Sequence, residues 1–265
     1  DNPGFDAAVS DVQSGHAQGM IAGMTVTDAR KETFDFSEPY YTANSILAVQ
    51  ESSKIDSYDD LKGKTVGVKN GTAAQRFLDK NKDKYGYKIK TFDTGDLMYN
   101  SLSAGAVDAV MDDQPVIQYA IQKGQDLAIN MDGEAVGGFA FGVKKGGNHE
   151  KLITEFNKAL AQMKADGTLD EIIKKWTGES QSSSNSAVPE TTTPAGQKAT
   201  PKKSKYSISS DSSFAPFVFQ NGKNKYTGID MDLIKAIAKD QGFEIEITNP
   251  GFDAAISAVQ AGQAD

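Results

Sequence analysis

The chain has 265 residues, a hydrophobic fraction of 38%, an aromatic fraction of 9% and a formal net charge of -8. That is enough chain for one large or two modest domains with a real core, and the acid excess, with no lysine cluster interleaved with aromatics, excludes nucleic acid as a partner. There is no cysteine, which removes thiol catalysis, disulfides and thiolate metal sites, and no run of about eighteen apolar residues that would span a membrane.

In chain order, Phe5, Ala8, Val9 and Val12 recur at helical spacing, so Phe5 to Val12 is predicted as an amphipathic helix leading into a strand at Met20 to Ala22. Ile46 to Gln50 reads as a strand. Lys64 to Lys69 is another, closed by the Asn70-Gly71 turn and followed by a helix from Thr72 to Leu78. Leu97 to Ala104 is a helix, Ala109 to Met111 a strand, and Val116 to Gln122 a helix entered through Pro115. Phe139 to Val143 is a strand, and Lys151 to Trp176 forms two helices broken at Gly167, with Trp176 expected to pack into the core. After that come a strand at Tyr206 to Ser209, a helix at Asp230 to Lys239 and a strand at Phe243 to Thr248. Alternating strands and helices argue an α/β architecture with mostly parallel sheets.

Four turns stand at the carboxyl ends of these strands, where open α/β sheets bind ligands: Gly23 to Thr25, Asn70 to Ala73, Asp112 to Gln114 and Asp211 to Phe214. In the first, Gly23 lets a ligand approach the main chain, Thr25 offers an N–H and a hydroxyl, and Arg30 can clamp a carboxylate through paired charge-assisted bonds. The same residues also suit a helix capped by Thr27 or Asp28 with Arg30 in solvent. His16 and His149 are far apart, no Ser/His/Asp triad setting occurs, and no acid or histidine cluster has metal spacing. No catalytic residue, metal or cofactor is expected. Asp230 and Asp232 read as acids at a helix N-terminus.

The two ends repeat each other. Asn2 to Gln18 aligns without gaps on Asn249 to Asp265, with twelve of seventeen positions identical, as expected of two related domains. Between them, Glu179 to Ser204 is rich in Ser, Thr and Pro, which predicts a flexible linker of roughly 30 Å reach. No export signal is visible at Asp1, so one is expected upstream.

IAGMTVTDARKETFDFSEPYY (Ile21 to Tyr41), VGVKNGTAAQRFL, AVDAVMDDQPVIQY, FAFGVKKG, LDEIIKKWTG and SSDSSFAPFVF with YTGIDMDLIKAIAK resemble successive landmarks of the polar amino-acid binding proteins of ABC importers, nearest to the glutamine-binding branch. The resemblance covers nearly all of the chain outside the linker. It implies a two-lobe, type II periplasmic-binding-protein-like fold with two extended hinge crossings, placed near Ile46 to Gln50 and Phe139 to Val143. Measured against the family's order, the chain starts late and supplies the missing opening section after the linker, as if cut from tandem binding domains. The implied division is a first lobe over 1–50, a second over 51–138, a return over 139–178, the linker over 179–204, and at 205–265 the opening section of a second domain. That section is able to complete the first lobe within the chain, or in a neighbouring copy by a domain swap.

By the same resemblance, Arg30 with the N–H groups of Thr25 and Ala73 holds a ligand's α-carboxylate. Asp113, the Gly23 carbonyl and the Thr25 hydroxyl hold its ammonium. Phe5 and Phe214 sandwich its aliphatic carbons, with core packing the alternative for each ring, and Phe252 repeats Phe5. Lys69 and Asp211 meet the far end of the side chain, and Thr72 lies on the same turn as Ala73. Asp112 stands where the glutamine-binding pattern has histidine. The implied function is extracytoplasmic capture of a free amino acid, glutamine or else asparagine, for an ABC permease, either tethered or fused at the outer face of the membrane or in the periplasm. An arogenate or prephenate dehydratase-like enzyme and a sensory ligand-binding module are the alternatives on the same fold.

Overall fold

The computed structural model describes residues 4–178 and 204–248, apart from 212 and 224. The expected linker, except its last residue, and the second PGFDAA segment with Phe252 lie outside the described residues.

The periodicity at the start of the chain becomes helix α1 (Gly4–Ser14), which buries Phe5, Ala8 and Val12. It leads to β1 (Gly19–Met20), α2 (Asp28–Lys31), β2 (Phe34–Phe36) and β3 (Tyr41–Ala48). A 3-10 turn at Tyr58–Leu61 precedes β4 (Thr65–Lys69), α3 (Ala73–Tyr85), β5 (Lys88–Phe92), α4 (Gly95–Ser103), β6 (Ala109–Asp113), α5 (Gln114–Gln122) and β7 (Glu134–Phe139). Local chemistry sets these bounds. The Thr72 hydroxyl accepts the Gln75 N–H at the start of α3, Gly86 ends that helix in the left-handed region, and Pro115 sits in the first turn of α5. The chain continues through β8 (Gly142–Lys144), α6 (Glu150–Ala165) and α7 (Thr168–Thr177), separated at Gly167 as expected. Beyond the linker come β9 (Lys205–Ser209), β10 (Ser213–Phe214), β11 (Val218–Gln220), β12 (Tyr226–Thr227), α8 (Ile229–Gln241) and β13 (Glu244–Thr248).

Two five-stranded sheets define two lobes. The first has the order β13-β9-β1-β8-β2 and the second β5-β4-β6-β3-β7, while β10, β11 and β12 form a small third sheet. Neither large sheet is mostly parallel. β9 is parallel to β1 and β13, and β4 to β5 and β6, but β8 and β3 run against their neighbours. The reason is topological: strands adjoining a crossing carry the chain out of one lobe and back, so they run against the strands made within it.

The first crossing also differs from expectation. Ile46 to Gln50 does not join the lobes; Ile46 to Ala48 are the inner end of β3, paired to β6 in the second sheet. The chain passes between lobes at residues 37–40 and returns at 140–141, within the expected Phe139 to Val143. The two crossings are bonded side by side, Ser37 N–H to Phe141 C=O at 2.9 Å and Tyr40 N–H to Phe139 C=O at 2.9 Å. A pair of adjacent extended segments is a hinge that bends without breaking either sheet.

Residues 205–248 are integral to the first lobe, since β9 lies between β1 and β13. Trp176 packs against the core as expected, from a half-buried position; its indole N–H donates to Asp232 at 2.8 Å and its ring meets Phe219 edge-on. We expect truncation after Gly178 to abolish cooperative thermal unfolding. It removes eight fully buried apolar side chains, Ile208, Phe217, Val218, Ile229, Met231, Leu233, Ile234 and Ile237. At about 1.5–3 kcal/mol each, their loss rivals the roughly 5–15 kcal/mol that holds a whole domain together. A truncated chain that melts like the full one would show that the segment is dispensable.

Candidate functional site

The four turns singled out in the sequence meet between the lobes. Phe5, Gly23, Thr25, Arg30, Lys69, Thr72, Ala73, Asp113 and Phe214 line one cleft, together with Ala22, Ala74 and Asp112. Asp211 abuts it through Lys69. The cleft encloses about 20 Å³, room for a water but not for an amino acid, so the lobes must part to admit a ligand.

From the first lobe, the short helix α2 positions Arg30. Thr27 is its N-cap and accepts the Arg30 N–H at 3.3 Å, yet Arg30 is buried rather than solvated. Its guanidinium donates to the Thr25 carbonyl at 2.7 Å and, across the cleft, to the Gly71 carbonyl at 3.0 Å, and lies 4.6 Å from the centre of the Phe5 ring. Burial, with Arg76 nearby, lowers its pKa to about 9 against the pull of Asp113 and Asp6, so it stays cationic at neutral pH. Thr25 faces Phe139 in an isolated antiparallel bridge whose bonds are made by the neighbours, Val26 N–H to Gly138 and Ala140 N–H to Met24. In that register the N–H and C=O of Thr25 point away from Phe139, and the C=O meets Arg30.

Gly23 serves a purpose the sequence did not disclose. Its φ is +55° and a Cβ there would collide with the Phe214 ring, so the glycine makes room for that ring. Its N–H donates to Asp230 Oδ2 at 2.9 Å, while the Tyr40 hydroxyl donates to Oδ1 at 2.8 Å. Asp230 is an acid at a helix N-terminus, as read from sequence, but it is fully buried in the first turn of α8 and holds the Gly23 turn from behind. Burial, partly offset by these two bonds, raises its pKa to about 7.

The second lobe supplies the opposite wall. Lys69 ends β4 and donates across the cleft to Asp211 Oδ2 at 2.8 Å, with side-chain exposures of 4% and 0%, and its ammonium lies 4.9 Å from the centre of the Phe214 ring. Burial would lower the Lys69 pKa, but Asp211, Asp112 and Asp113 outweigh it and raise it. The Thr72 hydroxyl is committed to Lys69 C=O and the helix cap, and Ala73 opens α3, where helical N–H groups have no intrahelical acceptor. Asp113 accepts the Ser45 hydroxyl at 2.9 Å, and burial together with Asp112 raises its pKa to about 7. Asp112 accepts the Tyr99 hydroxyl at 3.0 Å and the Asp113 N–H at 2.9 Å. Phe5 and Phe214 are both buried at the cleft wall.

Sequence reasoning missed Asp6. Its carboxylate occupies the space a Cβ on Gly71 would need, in the field of Arg30 and Arg76. Gly71 has φ +72°, so the Asn-Gly turn doubles as a point of contact between lobes. Among the described residues, no group of three or more acids and histidines could hold a metal ion.

The family model for bacterial extracellular solute-binding proteins, family 3, matches residues 2–179 and 206–265. The chain belongs to the bacterial extracellular solute-binding proteins, family 3. This family-3 protein is 32% identical over 177 residues to the probable amino-acid-binding protein YxeM of Bacillus subtilis, covering 66% of the chain and 67% of YxeM. It is 32% identical over 179 residues to the arginine-binding extracellular protein ArtP of the same organism, covering 66% and 69%. An ancestral arginine-binding protein bound to glutamine superposes with a TM-score of 0.61 at 37% identity, covering 66% of this chain and 77% of that one. The chain spans about two thirds of the length of the curated relatives it matches. The two-lobe architecture is the type II periplasmic-binding-protein fold, and a family-3 protein acts outside the cytoplasm by capture rather than turnover.

The buried Asp230 makes a pH prediction. A carboxyl whose pKa rises from 3.8 unfolded to about 7 folded holds its proton in the native state, so its contribution is full below pH 3.8 and is lost as pH climbs toward 7. Asp230→Asn keeps an acceptor oxygen for the Gly23 N–H and turns an NH2 to Tyr40, whose hydroxyl then accepts instead of donating. In denaturant titrations from pH 4 to 8 the variant should lose less stability than the parent; parallel curves would contradict the assignment.

Proposed function

We propose that this family-3 protein captures a free L-α-amino acid between its lobes and presents it to the membrane permease of an ABC importer, with glutamine the preferred ligand. The observation that carries the reading is the buried Lys69–Asp211 pair across the cleft. An amide side chain needs a donor at its oxygen and an acceptor at its nitrogen, and these two residues offer that pair once the lobes part and a ligand enters between them. Arg30, the Thr25 N–H and the Ala73 N–H at the start of α3 are the carboxylate's partners. Asp113, the Gly23 carbonyl and the Thr25 hydroxyl are the ammonium's, and Phe5 and Phe214 flank the aliphatic carbons.

Ligands of the relatives are consistent with an α-amino acid of some kind, since ArtP is named for arginine and the ancestral protein was solved with glutamine. Arginine would bring a second cation against Lys69. Glutamate would set a carboxylate against Asp211, a mismatch of about 3–5 kcal/mol, and asparagine, one methylene shorter, should bind weaker by roughly 1–3 kcal/mol.

Titration calorimetry of the full chain at pH 7 tests this. Glutamine should bind most tightly and Asp211→Asn should narrow the gap to glutamate; glutamate binding as tightly as glutamine to the parent chain would rule the assignment out.

A further inference from the structure

Two guanidiniums meet on one carbonyl where the lobes touch. Arg30, from α2 on the first lobe, donates to the Gly71 C=O at 3.0 Å, and Arg76, from α3 on the second, donates to the same oxygen at 3.3 Å. Like charges so placed oppose the approach of the lobes. An anion stands beside them. The Asp6 carboxylate, in the first turn of α1 on the first lobe, lies against Gly71 where a Cβ would sit. The charges facing it are Arg30 on its own lobe and, on the other, Lys69 and Arg76 opposed by Asp93, which accepts the Asn70 amide at 2.9 Å. Across the gap, two cations outnumber one acid. Neither Asp6 nor Arg76 lines the cleft, and both lie at the solvent edge of the contact.

We propose that Asp6 and Arg76 form a latch between the lobes that stabilises the closed form from outside the ligand's contacts, with Asp6 offsetting the repulsion between Arg76 and Arg30. Parting the lobes carries α1 away from α3, so Asp6 loses Arg76 and Lys69 and keeps only Arg30. The latch therefore favours the closed form alone and slows release without touching the ligand. Gly71 is part of the device, since only a residue without a Cβ lets the carboxylate come this close. The inference rests on capture between the lobes, whichever amino acid is taken.

The full chain is first titrated by calorimetry with each standard amino acid, and the tightest binder becomes the probe. Asp6→Asn, in the parent and in an Arg76→Gln background, is then measured with that probe at about 20 mM and about 500 mM salt, the latter enough to screen exposed charges. At low salt Asp6→Asn should bind roughly three- to fivefold more weakly than the parent, through faster dissociation with association unchanged in stopped-flow displacement. The loss should shrink at high salt and in the Arg76→Gln background. Unaltered affinity, or equal losses in both backgrounds, would overturn the latch. Tighter binding would overturn it too, and would make Asp6 a competitor of the ligand's carboxylate for Arg30. A parent chain that binds none of the amino acids would overturn the capture reading itself, and the latch with it.

Discussion

The constraint on which the cleft depends is that charges buried between the lobes must always find partners. Lys69 and Asp211 are nearly inaccessible to water and lie on opposite lobes, so each is costly to bury alone and acceptable together. Such a pair adds little net stability, because what its members gain in attraction they lose in hydration. It acts instead as a condition on closure: the lobes meet only when an anion or acceptor faces the lysine and a cation or donor faces the aspartate. Arg30 repeats the logic with neutral groups, its fork shared between Thr25 on its own lobe and Gly71 on the other.

The scaffold serves this condition. Strands of both sheets end at the cleft, which brings turns distant in sequence to within bonding distance of one another. The crossings at 37–40 and 140–141 are bonded to each other outside the ladders of both large sheets, with Tyr40 and Phe141 anchored in the core beside them, so a bend there leaves both sheets intact. Behind the ligand turn, Asp230 and Tyr40 hold Gly23, and Gly23 in turn admits the Phe214 ring. The binding wall is therefore rigid within each lobe and adjustable only between lobes, as capture by domain closure requires.

Much of this was legible in the sequence because the signals are local. The Thr72 cap, the Asn70-Gly71 turn, Pro115 and the break at Gly167 each fix an element boundary through chemistry within four residues. What was not legible depends on distant partners. Tyr41 to Ile46 begins with polar residues that hide a strand, and its membership of the second sheet is set by pairing with β6 and β7, which moved the hinge upstream. Asp230 looked like any acid at a helix start, since nothing near it announces that Gly23, more than two hundred residues away, is its partner. Asp6 meets Gly71 only through the approach of the two lobes, which no local pattern encodes.

Capture of an amino acid requires that the lobes part to admit it and close upon it. The chain has no cysteine, so donor and acceptor dyes can be placed on cysteines substituted for exposed Lys80 in α3 and Lys158 in α6, one per lobe. Single-molecule energy transfer on freely diffusing molecules, titrated with glutamine, measures the separation directly. Glutamine is expected to shift the distribution toward a single high-transfer state with a midpoint matching its binding constant. Identical distributions without ligand and at saturating glutamine would rule out closure on the ligand.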